Sequence, residues 1–197
     1  MSVRKLRALP GMLATIFLAG CAEPEILEPH SAETPVGVDF SGLWTMRADE
    51  SGDQRRLREA VDRTDGIEKY RRSSVNSRTA RSGRSKGGIV HVFLEVGSSL
   101  KVTQTPYALF ISFDRSVVEE FRFGENRPVS IGAAQAMRVS GWSGNAYVVE
   151  TLDNSGMKLT ERYELSSDSD LLYRHITFRS SKLEEESLTQ IFERAAD

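Results

Sequence analysis

From residue 98 onward the chain is a succession of short β-prone runs separated by turn-forming clusters, and this punctuation restricts the fold more than any other feature. Residues 100–105 and 108–113 flank Pro106-Tyr107, and Asp114-Arg115-Ser116 precedes residues 117–123. A turn cluster over 124–128 leads to 129–131. Residues 136–142 and 146–152 then flank Ser143-Gly144-Asn145, and 153–156 open onto 157–165. Further runs cover 171–179 and 188–192. In the 157–165 run, Leu159, Glu161, Tyr163 and Leu165 alternate with Lys158, Thr160, Arg162 and Glu164, the period of a half-buried antiparallel strand. Sequential hairpins favour an up-and-down meander, and closure removes exposed edges. The expected fold class is therefore all-β and mainly antiparallel: a small barrel of about eight strands, complete or not. Residues 88–96 fit either a strand or a short helix.

An earlier strand is expected where Leu43, Thr45 and Arg47 alternate with Trp44 and Met46, with Trp44 plugging one end and residues 188–192 closing against it. The aromatics expected in the core or around a cavity are Trp44, Phe110, Phe121, Phe123, Trp142, Tyr147 and Tyr163. The Phe40-Ser41-Gly42-Leu43-Trp44 opening resembles that of lipocalin-like exported proteins, which implies a lipocalin-like barrel over 39–197.

The N-terminus has a different grammar. Arg4, Lys5 and Arg7 precede an uncharged, mostly apolar stretch of 13 residues from Ala8 to Gly20. That is the order of a secretory signal, and the stretch is too short for a spanning helix, which needs about 20 apolar residues. Leu18-Ala19-Gly20-Cys21 resembles the lipobox of bacterial lipoproteins. The resemblance implies a signal peptide over 1–20, recognition through Leu18, Ala19 and Gly20, and diacylglycerol plus an acyl group on Cys21. Two or more acyl chains hold stably where one binds marginally. Ala22 follows the cysteine where Asp tends to retain such proteins in the inner membrane, so the resemblance favours the periplasmic face of the outer membrane. Cys21 is the chain's single cysteine.

The formal net charge of −2 is an average over strongly segregated blocks. Residues 21–38 are rich in Glu and Pro without strand or helix period and read as a flexible tether, with His30 solvated. Residues 54–87 hold eleven Lys or Arg against four acids. This basic insertion reads as disordered or partly helical. Its expected anionic-surface contacts are Arg55, Arg56, Arg58, Arg71, Arg72, Arg78, Arg81, Arg84 and Lys86, since a basic segment near an anionic membrane gains about 1 kcal/mol per cation. An exported chain has little access to nucleic acid, so that partner is set aside.

No chemistry-bearing motif emerges. The three histidines, at 30, 91 and 175, show no metal-ligand spacing, and Ser140 to Gly144 lack the spacing of a nucleophile elbow. Glu119-Glu120 reads as solvated surface. The resulting expectation is a non-enzymatic, membrane-anchored envelope lipoprotein with no metal and no cofactor beyond the lipid on Cys21. Its barrel would bind an apolar small molecule or an envelope protein. The alternatives are an adaptor acting through 54–87 and a hydrolase whose site is assembled in space, with His91 or His175 beside a carboxylate and a hydroxyl.

Overall fold

The computed structural model describes residues 25–47, 55–56, 59, 92–115, 117–132, 134–180 and 183–195. The alternating runs become one antiparallel sheet of β1 (Gly42–Met46), β2 (Ser99–Gln104), β3 (Ala108–Phe113), β4 (Val117–Arg122) and β5 (Glu125–Ile131), continued by β6 (Ala134–Ser143), β7 (Ala146–Asp153), β8 (Lys158–Leu165), β9 (Leu171–Ser180) and β10 (Leu183–Arg194). Spatial order is β4-β3-β2-β1-β10-β9-β8-β7-β6-β5, a meander whose last strand returns to the first. In that closing pair Trp44 opposes Arg194 and Met46 opposes Phe192. The result is a nearly closed, antiparallel barrel.

Ten strands form among the described residues rather than about eight, because the short runs at 42–46, 125–131 and 183–194 all join the sheet. The cluster at 124–128 is not a turn beyond Gly124, since β5 starts at Glu125 and contains Pro128. Proline is tolerated there because β5 is an edge strand. Residues 92–93 are helical and not a strand, and they turn Phe93 and Leu94 into the interior. Of the expected core aromatics, Phe110 is only half-buried, since the alternation of β3 gives the interior to Leu109, Ile111 and Phe113. Phe123 is half-buried against Trp142 and Tyr147.

Strands β4 and β5 leave a seam, because they follow one another through Phe123-Gly124 without pairing. Side chains partly close it. Ser140 Oγ donates to the carbonyl of Arg122 at 2.8 Å, and Tyr147 Oη to the same oxygen at 3.4 Å. A backbone acceptor at an unpaired edge is thus satisfied from β6 and β7. At the β3–β4 turn, Asp114 and Arg115 take left-handed φ values of 46° and 58°. The Asp114 carboxylate accepts from the backbone N–H and hydroxyl of both Ser98 and Ser99. Slight burial acts against ionisation, yet these donors hold its pKa below the usual value.

Residues 25–38 depart from the expectation of a free tether. Residues 25–31 cross the outer face of β6–β8 as a strap, with Ser31 and Trp142 exchanging backbone hydrogen bonds of 3.1 and 2.8 Å, and the chain then passes Gly124 to reach Gln104 of β2 at Val38. Glu25 reaches Lys158 at 3.3 Å and Arg179 at 2.6 Å, and His30 lies 3.5 Å from Glu150 rather than free in solvent. Leu27 is buried, as are Val139 and Val148 on strand positions that face outward. Gly141 makes the crossing possible, since a Cβ there would sit 2.6 Å from the Ser31 carbonyl and 2.9 Å from His30 Cβ. Gly141→Ala should therefore lift the strap, with the cost of about 1–3 kcal/mol usual for overpacking. Hydrogen exchange should show the Ser31 and Trp142 amides losing protection while the β8–β10 amides keep theirs. Unchanged protection at Ser31 would contradict this account.

Candidate functional site

The barrel interior holds two apolar clusters with a charged layer between them. The larger gathers Phe40, Trp44, Phe113, Phe121, Trp142, Tyr147, Tyr163 and Phe192 with aliphatic neighbours. The smaller gathers Phe93, Leu94, Val129, Met157, Leu159, Ile176 and Phe178 towards the end where β1 leads into β2. Arg138 touches both, lying 5.3 Å from the Phe93 ring centre and 5.4 Å from that of Phe121.

Arg138 and Arg174 occupy inward positions of β6 and β9, where the period of two places them beside Ser140 and Ile176. Arg174 is fully buried. Its Nε donates to Glu161 Oε2 at 2.9 Å, Nη2 donates to the same oxygen, and Nη1 donates to Gln190 Oε1 at 3.1 Å. Tyr163 Oη also donates to Glu161 Oε2, at 2.8 Å. The guanidinium stacks over Phe113 at 4.8 Å. Arg138 donates from Nη1 to Glu119 Oε2 at 3.1 Å and from Nε to Thr151 Oγ1 at 3.2 Å.

This layer is charge-balanced, with two guanidiniums against two carboxylates. Burial pushes the pKa of Glu119 up, and the nearby Glu161 adds to the effect against the pull of Arg138. Burial likewise drives the Tyr163 hydroxyl well above its usual range, so it remains a hydrogen-bond donor. For Arg174, burial works against the charge, but Tyr163 and Glu161 outweigh it and its pKa rises. Two interior donors are left without a partner among the described residues: Gln190 Nε2 and Trp142 Nε1. Arg174 sets the Gln190 amide orientation, since a guanidinium has no acceptor and must meet Oε1.

The sequence reading missed this layer and placed Glu119 on solvated surface. Glu119 instead sits on the inward side of β4, and only Glu120 faces out, against Arg122. A signal was present: Glu161 and Arg174 interrupt otherwise apolar inward positions of alternating strands.

Other expected site residues fall elsewhere. Leu18, Ala19, Gly20, Cys21 and His91 lie outside the described residues, as do Arg58, Arg71, Arg72, Arg78, Arg81, Arg84 and Lys86. Arg55 and Arg56 are helical and exposed, with Arg55 3.9 Å from Glu59. His175 does meet a hydroxyl and a carboxylate, Thr189 Oγ1 at 2.8 Å and Glu164 Oε2 at 3.7 Å. The trio lies on the outer face of β8–β10. No group of three or more His, Cys, Asp or Glu suited to a metal occurs among the described residues.

No protein-family profile and no curated protein matches this chain. Solved structures similar to it include a secretory abundant heat soluble protein from Ramazzottius varieornatus, at 13% identity over 83% of this chain and 100% of that one, with a TM-score of 0.46. The REP1-NXSQ fatty acid transporter is similar at 13% identity, covering 81% of this chain and 98% of that one, with a TM-score of 0.41. A point mutant of the fluorescent protein UnaG is similar at 12% identity over 80% and 97% of the respective chains, also with a TM-score of 0.41. At these TM-scores and identities the likeness carries no argument, and the all-β barrel rests on the strand order of this chain itself.

Proposed function

We propose that this chain is a cell-envelope lipoprotein, anchored through Cys21 at the periplasmic face of the outer membrane, whose barrel binds an apolar small molecule without transforming it. The observation that carries the binding reading is the unpaired Gln190 amide donor inside a charge-balanced layer bounded by two apolar clusters. A buried donor left unpaired costs about 1–3 kcal/mol, which a ligand oxygen reaching it would recover. Each arginine already has its carboxylate, so a bound carboxylate would add an unbalanced charge to a low-dielectric interior. The favoured ligand is accordingly uncharged: a long-chain alcohol, ester or similar molecule with one hydrogen-bond acceptor.

Native mass spectrometry of protein purified from its host membranes should show a co-purifying small molecule. In displacement of a fluorescent apolar probe, a long-chain alcohol should compete at least about tenfold better than the carboxylic acid of equal length, a difference of roughly 1.4 kcal/mol. An empty barrel that binds neither lipid would remove the ligand reading. Equal competition would remove the preference for an uncharged head.

A further inference from the structure

The strap determines how far the barrel can stand from its anchor. Only four residue steps separate Cys21 from Glu25. An extended chain advances at most about 3.6 Å per residue, so the Cα atoms of Cys21 and Glu25 lie within roughly 14 Å of one another. Glu25 is held by Lys158, the first residue of β8, and by Arg179, near the end of β9. The register pairs Lys158 with Arg179, which puts both at one end of the barrel. That end also carries the β1–β2 connection, the β3–β4 turn and the β5–β6 turn, because successive strands alternate in direction.

We propose that the barrel docks on the phospholipid surface with this end towards the membrane, clamped by the strap rather than hanging from a long tether. The inference rests on the lipidation of Cys21 proposed above. Surface chemistry at this end fits a headgroup layer. Ile26, Val118 and Ile131 are 82%, 65% and 45% exposed, and Lys101 and Arg115 are exposed beside them. Apolar exposure alone does not select the end, since Val36 and Tyr107 are exposed at the opposite one. Chain length does. Strand β1 ends and β2 begins at this same end.

The test uses the full, acylated chain in phosphatidylethanolamine–phosphatidylglycerol vesicles. Acylation consumes the chain's one cysteine, so a thiol introduced by Asn154→Cys in the β7–β8 turn or by Asn145→Cys in the β6–β7 turn can be labelled specifically with an environment-sensitive fluorophore. Spin-labelled headgroups should quench the label at position 154 several-fold more than the label at position 145. In Gly141→Ala, with the strap lifted, the contrast should shrink towards equality. Equal or reversed quenching in the otherwise native chain would overturn the orientation. The mass of the mature chain separates the two readings. Without acyl groups on Cys21 the anchor itself fails and the orientation with it, whereas an acylated chain with equal quenching sinks the orientation alone.

Discussion

Arg174→Met should destabilise the barrel by about 3–5 kcal/mol, the usual cost of breaking a buried ion pair by removing one partner. The variant leaves Glu161 enclosed with Tyr163 Oη as its remaining donor, and it frees the Gln190 acceptor as well. Net stabilities of single domains are about 5–15 kcal/mol, so a large share would be lost. With a slope of about 1–3 kcal/mol per molar urea, the unfolding midpoint should fall by roughly 2 M. The double variant Arg174→Met with Glu161→Leu should recover most of the loss, because both desolvated charges leave together and apolar side chains of similar length fill the space. A midpoint for Arg174→Met within a few tenths molar of the parent would show that the pair is not buried as described.

Trp44→Ala should cost about 3–5 kcal/mol, the range for emptying a buried aromatic site. Trp44 is 1% exposed, its Nε1 donates to the Phe40 carbonyl at 3.0 Å, and the Arg194 guanidinium lies 4.1 Å from its ring centre. The residue therefore joins β1, the segment that enters it and the last strand, where the barrel closes. Trp44→Phe separates the contributions, since it keeps most of the apolar volume and loses the indole donor. It should cost about 1–3 kcal/mol, the penalty for leaving one buried carbonyl unpaired. Equal losses for the two variants in urea unfolding would assign the whole effect to the hydrogen bond rather than to packing.

Much of the sheet was readable because a strand writes its orientation into adjacent residues. Leu159, Glu161 and Tyr163 face inward for the same local reason that Thr160 and Arg162 face outward. The hairpin at Gly144-Asn145 was readable too, since a left-handed φ of 60° at Gly144 costs glycine little. The strap was not. Its Glu- and Pro-rich composition resembles solvated chain, and the residues that hold it, Lys158 and Arg179, lie more than a hundred positions away. Nothing local in AEPEILEPH announces them.

The sequence by itself determined the all-β class and the likeness of residues 18–21 to a lipobox, because each rests on neighbouring residues or on a period of two. Only the tertiary structure decided that Glu119 pairs with Arg138 across the seam, that Glu161 neutralises Arg174, and that residues 25–31 bind the outside of the barrel. Those pairings join segments far apart in the chain. Their energies depend on burial, which exists only once the sheet has rolled up.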